Sequence, residues 1–349
     1  MIKKIKYLLL LLVVLLLAVS LTIYLVREPS YNIQTNGKLY IVNKRSRDVT
    51  VFDLMKGEKL TNVPIDIESH AATPVRNQGC VVIPNYNTNE NKVQSLVIIN
   101  AKTDKLDKTI VFEEGLALDG IIAHNESNKV LVVSRINNKL FVVDIENNAV
   151  EKSISTEQEI GHIPVLHPHK PIAYVTNTKS GSVSVIDLKL NKVIKIIPCG
   201  FGTQGIDITP DGSELWVTNT MQNSMVIINT ISNQIIKTIK TGRESIKLKF
   251  SKDGKYCFVV NSRDGTISIY NQKSRKKIKT IQLHGKTTIL QRLLYHTPRP
   301  VNILMHPNGL YAFVSNSNAC KVEIIDMKTL TIVSTIKTGN VPEGLALVE

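Results

Sequence analysis

The feature that most restricts this chain is a repeat of fixed length. Tyr174-Val175-Thr176-Asn177 returns as Trp216-Val217-Thr218-Asn219 and as Phe258-Val259-Val260-Asn261, each step being 42 residues. Ten residues after each Asn ends a second apolar anchor: Val185-Ile186-Asp187, Ile227-Ile228-Asn229 and Ser268-Ile269-Tyr270-Asn271. A Gly (Gly200, Gly242, Gly285) and then a tight turn (Asp211-Gly212, Asp253-Gly254, Asn308-Gly309) complete the unit. Each unit therefore holds four short alternating runs divided by turns. One small twisted sheet of that kind cannot bury both faces until neighbours stack against it.

Four weaker copies of the anchor bring the number of units to seven: Tyr40-Ile41-Val42-Asn43, Val82-Ile83-Pro84-Asn85, Leu131-Val132-Val133-Ser134 and Phe313-Val314-Ser315-Asn316. A solenoid of hairpins would need distinctive caps. The ends of the chain predict a ring instead. The first unit begins at Gly37 and lacks the strand that precedes the anchor, while Pro342 to Val348 aligns with Thr203 to Thr209 and stops before its turn. Blade 1 is thus expected to take three strands from residues 37–65 and its innermost strand from 342–348, which removes an exposed sheet edge. The predicted fold is all-β, a seven-bladed β-propeller with four antiparallel strands per blade over residues 31–349.

From Gly37 to Glu349 the repeat resembles the YVTN family of β-propeller repeats, named for the tetrapeptide at Tyr174–Asn177. The resemblance implies a seven-bladed propeller, commonly secreted or surface-attached, that serves more often as a binding platform than as an enzyme. Pro84 and Ser134 depart from the anchor, and the spacing around both is irregular.

Residues 1–30 are a separate object. Lys3, Lys4 and Lys6 precede an uncharged apolar run from Tyr7 to Val26, closed by Arg27-Glu28. A run of ~20 residues suffices to cross a bilayer, and lysines on its amino side favour a cytoplasmic start with the propeller outside. A cleaved signal peptide is the alternative, with Ala18-Val19-Ser20 as the cleavage site, but Leu21 to Val26 extends the apolar run beyond it. The expectation is a single-pass signal-anchor with an extracytoplasmic propeller.

The whole chain carries a formal +14; without residues 1–30 it retains 39 basic and 28 acidic residues, or +11. Charge of this sign favours anionic surfaces without selecting among them. Lys102, Lys105, Lys189, Lys192, Lys273, Arg275, Lys276, Lys277 and Lys328 fall at turns between third and outer strands, which predicts a positive outer rim on one face. Lys189, Lys192, Lys273, Arg275, Lys276 and Lys277 are its main candidates for an anionic surface.

The opposite face is the expected functional one, because both insertions, residues 86–92 and 286–299, fall there, and loops on a rigid scaffold concentrate binding residues. Ile289 to Tyr295 in the second could form one or two helical turns. Aligned inner strands place His70, His162, Gln204 and Glu343 at one level near the channel entrance, with Arg243 and Arg299 in neighbouring loops of the same face. These six are the candidate binding residues. His70, His162 and Glu343 are also candidate ligands for a divalent metal or haem iron, since imidazole and carboxylate suit both. No zinc-type ligand spacing accompanies them, and polar lining of a wet channel explains them equally well; no cofactor is expected otherwise. His124, His167 and His306 align at the far end of the inner strands, where turn chemistry accounts for them.

No Gly-x-Ser-x-Gly elbow, P-loop or dinucleotide fingerprint occurs. Asp53, Asp144, Asp187 and Asp326 recur at a strand end and read as turn-capping acceptors. Cys80, Cys199, Cys257 and Cys320 are spread over blades 2, 4, 6 and 7 and are expected to remain thiols. Catalysis is consequently the minority expectation. The leading one is a monomeric, membrane-anchored platform for a protein, a peptide or an anionic polymer such as a cell-wall polyanion. Nucleic acid is a second class, although aromatics at 5% are few for base stacking. A channel-site enzyme or metal- or haem-dependent redox protein is the third.

Overall fold

A computed structural model describes residues 2–25, 30–86, 94–112, 116–124, 127–285 and 297–349, with helix side chains from 4 to 19. Seven four-stranded antiparallel sheets follow one another around a ring. Closure is as the chain ends predict: Pro342–Val348 pairs with Lys38–Asn43, which continues to Asp48–Asp53 and Glu58–Pro64. The apolar core is divided into seven layers, one between each pair of adjacent blades. The layer at the closure joins Leu39, Ile41, Leu345 and Leu347 of blade 1 to Phe313, Val322 and Ile324 of blade 7. Strands with alternating β-branched residues suit this geometry because both faces of each blade are covered.

The anchor tetrapeptide has a specific task. Its Asn ends the second strand, and the side-chain amide of Asn177 donates to Ser182 Oγ (3.2 Å) and Ser184 Oγ (2.9 Å) on the third strand. Asn261 does the same to Thr266 and Ser268, and Asn43 to Asp48 and Thr50. The expected turn caps are present: Asp53, Asp144, Asp187 and Asp326 each accept a backbone N–H from the turn that follows, and Asn100, Asn229 and Asn271 fill the same position. All four cysteines are thiols.

The amino-terminal helix spans Ile2–Leu25. Among the described residues no helix is long and apolar enough to cross a membrane; the end of the run that predicted a span, at Val26, lies outside them. The chain is described again from residue 30. Asn32 exchanges hydrogen bonds with Ser334, and Thr35 and Asn36 bond to His306 at 3.1 and 2.9 Å. From Tyr31 onward the chain is therefore docked on the seam of blades 7 and 1, on the face opposite the channel mouth. His306, assigned above to turn chemistry alone, is the buried group that fastens it.

Candidate active site at the channel mouth

Each blade begins at the mouth with the same device. Six of the seven inner strands carry a β-bulge next to their first residue, and a bulge re-aims a side chain that a regular strand would bury in an interblade layer. The re-aimed level holds Glu343, Asp119, His162 and Gln204, with His70 in the extended segment that enters blade 2. The following level includes Gly120, Gly344, Lys247 and Asn302. Glycine is required where neighbouring inner strands meet most closely: a Cβ on Gly120 would stand 2.1 Å from the carbonyl oxygen of His162, and one on Gly344 would stand 2.9 Å from the backbone of Ala71.

A second tier comes from the residue after the anchor. In all seven blades its backbone N–H bonds to a carbonyl of the segment leading into the inner strand, as in Lys44 to Val341 (2.9 Å), Tyr86 to Glu68 (2.7 Å), Arg135 to Ala117 (2.9 Å) and Thr178 to Ile160 (2.8 Å). Its side chain is thereby fixed at the mouth. Blades 4–7 place small hydroxyls there, Thr178, Thr220, Ser262 and Ser317. Blades 1–3 place Lys44, Tyr86 and Arg135 instead, and the ring becomes chemically one-sided.

The predicted residues sort accordingly. His70 and Glu343 are brought together, with Nδ1 against Oε2 of the carboxylate, while Nε2 lies 3.2 Å from the Lys44 ammonium. With Nδ1–H donating to Glu343, Nε2 is the basic atom. The His70 ring meets Tyr86 edge-on, at 4.2 Å between centroids, and the Lys44 and Arg135 cations both stand 5.5 Å from the Tyr86 ring centre. Arg135 also reaches the Tyr86 hydroxyl (3.1 Å) and Asp119 (3.3 Å). Burial raises the Tyr86 phenol above its usual pKa, so it remains a neutral donor.

His162 is 3.7 Å from Asp119, and its Nδ1 is buried without a hydrogen-bond partner among the described residues. Burial holds its pKa down to about 4, against the attraction of Asp119 and with help from Arg135, Lys247 and His70. Lys247 is held down to about 8 by burial and by Lys249, while Asp119 and Asp207 oppose the shift. Gln204 turns to accept a bond from Thr220 at 2.7 Å. Arg243 and Arg299 lie across the ring, engaged with Asp264 (2.5 Å) and Glu244 (3.2 Å).

The three metal candidates divide into separate pairs, His70 with Glu343 and His162 with Asp119. Among the described residues no three His, Cys, Asp or Glu side chains are grouped to hold a metal ion. On the opposite face Lys189, Lys192, Lys273, Lys276 and Lys277 are exposed as expected. Arg275 is not a free rim charge, because its guanidinium is paired with Glu214 of blade 5. The two insertions fall mainly at residues 87–93 and 286–296, outside the described residues, and the helical turns expected over Ile289–Tyr295 lie there too.

A cavity of about 340 Å³ opens on the mouth rim beside Tyr86 and Arg135, bounded also by Ile136, Asn138, Ile160 and Lys179. A larger one, about 880 Å³, lies at the other end of the channel and shares none of these residues.

The model of the seven-bladed β-propeller lactonases matches residues 18–288, more than three quarters of the chain. The chain belongs to the lactonase, seven-bladed β-propeller family. No curated protein matches this family member in sequence. Among solved structures, hydrazine synthase of Kuenenia stuttgartiensis is 17% identical with a TM-score of 0.66, over 80% of this chain and 89% of that one. A functionally unknown protein from Desulfotomaculum acetoxidans DSM 771 is 16% identical with a TM-score of 0.72, over 90% and 99%. At such identity both speak for the fold alone.

Proposed function

We propose that this lactonase-family propeller hydrolyses a lactone or a related cyclic ester at the mouth of its channel, at the junction of blades 1, 2 and 3. The observation that carries the reading is His70 held between Glu343 and Lys44. A carboxylate that fixes the tautomer of an imidazole makes the other nitrogen the proton acceptor; here Nε2 accepts from the Lys44 ammonium, and it takes a proton from water as that ammonium turns to the oxyanion that forms. The water oxygen bonds to the acyl carbon as its proton passes to His70 Nε2. The ring acyl C–O bond then breaks, and the departing oxygen takes the proton back, giving a hydroxy acid. Arg135 and the Tyr86 hydroxyl, at the edge of the rim cavity, would bind the carbonyl or a carboxylate on the substrate.

The test is hydrolysis of a panel of γ- and δ-lactones by the purified full-length chain in neutral detergent, followed as acid release. Turnover is expected to fall by ~10² or more in His70→Asn, and in Arg135→Gln chiefly through a raised KM. No turnover of any lactone, or unchanged turnover in His70→Asn, would reject the reading.

A second reading concerns the opposite face. Its exposed lysines favour a platform for an anionic polymer, with the YVTN-type repeat as scaffold and the amino-terminal helix as an uncleaved anchor holding the propeller outside the cell. Docking of the chain on that face from Tyr31 supports this orientation. Protease accessibility of the propeller in intact cells tests it.

A further inference from the structure

The cavity of about 880 Å³ at the far end of the channel is lined from blades 2, 3 and 4 with Lys252 of blade 6, and its chemistry differs from that of the mouth. One wall is apolar, with Val75, Ile122, Leu166, Pro168 and Leu188. Arg76, Lys170 and Lys252 project at its edge, and His124, His167 and His169 line it, while the described lining includes no Asp or Glu. Among the described residues Arg76 is ion-paired only with Glu349, at 4.0 Å. Neither Lys170 nor Lys252 has a carboxylate within ion-pair distance among the described residues. His167 accepts the backbone N–H of His169 at Nδ1 (3.0 Å), which leaves Nε2 carrying the proton as a neutral donor.

Three cations from separate elements surround one hollow with a single carboxylate, 4.0 Å from one of them, and this excess of positive charge is poorly served by a ligand of one negative charge. They suit an oxyanion with at least two negative charges. The apolar wall calls for an organic body on that anion, and the volume is within the range for small-ligand sites, ~300–1,000 Å³. We infer that the far-face cavity binds the phosphate group of an organic phosphate ester. The site is independent of the lactone chemistry, since no residue is shared with the mouth. Because the chain docks on this face from Tyr31, and the helix ends only a few residues earlier, the ester could be a free metabolite or the headgroup of an anionic lipid.

Calorimetric titration of the full-length chain in neutral detergent separates these sources. The probes are inorganic pyrophosphate, glycerol 3-phosphate and dihexanoyl phosphatidic acid, with dihexanoyl phosphatidylcholine as the zwitterionic control. Binding of at least one phosphate probe is expected, weakened by ~tenfold or more in the triple variant Arg76→Gln, Lys170→Gln, Lys252→Gln and unchanged in Glu343→Gln. These three positions are exposed, so the fold should be retained, as circular dichroism would verify. Binding of pyrophosphate or glycerol 3-phosphate supports a soluble ester; binding of phosphatidic acid alone supports a headgroup. Absence of binding to all three, or equal binding by the triple variant, overturns the inference.

Discussion

His162 is kept neutral by its position in the channel wall, and that has a consequence for stability. An unfolded histidine takes up a proton near its usual pKa of 6.5, whereas the folded one resists to about 4. Between these values the unfolded chain binds the additional proton, so stability that is whole above pH 6.5 is lost as pH falls toward 4. The shift sets an upper bound on the order of 3 kcal/mol. In His162→Asn, urea unfolding at pH 7 and pH 4.5 should differ less than in wild type, and an equal difference would refute the assignment. Lys247 follows the same rule in a higher window: wild-type stability should rise between pH 8 and 10.5, as the unfolded lysine alone retains its proton. Lys247→Met removes a cation that burial disfavours, and Asp119 and Asp207 keep Arg135 and Lys249 as partners. It should gain about 1 kcal/mol at pH 7 and lose the alkaline rise, which thermal melts at both ends of that window would reveal.

Within a blade, the anchor Asn and the bulge determine what the channel displays. Asn177 is fully buried, and its amide serves Ser184, whose hydroxyl in turn donates to the Thr156 carbonyl on the connection from blade 3 (2.6 Å). Asn177→Ala should therefore cost ~1–3 kcal/mol by leaving buried polar atoms unpaired, and Asn177→Ala with Ser184→Ala should cost less than the sum of the two. Denaturant titration of the three variants decides it. The anchor was legible in the sequence because its spacing is constant, and so were the strand count, the turn caps and the closure. The pairing of His70 with Glu343 was half legible: alignment gave a shared level, but nothing in the letters gave the partner. Asp119 was missed because blade 3 lacks the anchor Asn, although Asp119-Gly120 repeats the polar-Gly pattern of Gln204-Gly205 and Glu343-Gly344. Lys44, Tyr86 and Arg135 were missed for another reason. Their position matters only once the backbone bond after the anchor is known, yet the contrast between these three and the four small hydroxyls of blades 4–7 was available as a signal. Gly120→Ala probes both tiers, since its Cβ would collide with the His162 carbonyl. Overpacking of ~1–3 kcal/mol is expected, together with a loss of lactone turnover larger than that in Gly79→Ala, where no atom stands within 4 Å of the added carbon but a positive φ strains the backbone.

At the scale of the ring, the far face and the mouth are held in register by the pairing of the two chain ends. Removing residues 342–349 would strip the inner strand from blade 1, expose the edge of Lys38–Asn43 and open the layer that Leu345 and Leu347 share with Phe313. Each buried leucine contributes ~1.5–3 kcal/mol, so the truncated chain should be recovered as aggregate in size-exclusion chromatography. With the ring closed, the docking of Tyr31 to Asn36 on blades 7 and 1 sets which face lies nearest the helix. Residues 26–30 between them can reach at most ~18 Å when fully extended, so the lysine-bearing face is constrained to that side. Lys273, Lys276 and Lys277 are exposed there, and exposed charges interact through solvent with a Debye length of ~10 Å at 0.1 M salt. Reversing them in Lys273→Glu, Lys276→Glu, Lys277→Glu should lower the salt concentration at which the full-length chain elutes from a heparin column. The difference should disappear when binding is compared above ~0.5 M salt, where screening removes the attraction. Arg275→Gln should behave differently, losing stability through the unpaired Glu214 carboxylate with little effect on elution. A triple variant that elutes with wild type would mean that charge on this face does not engage polyanions.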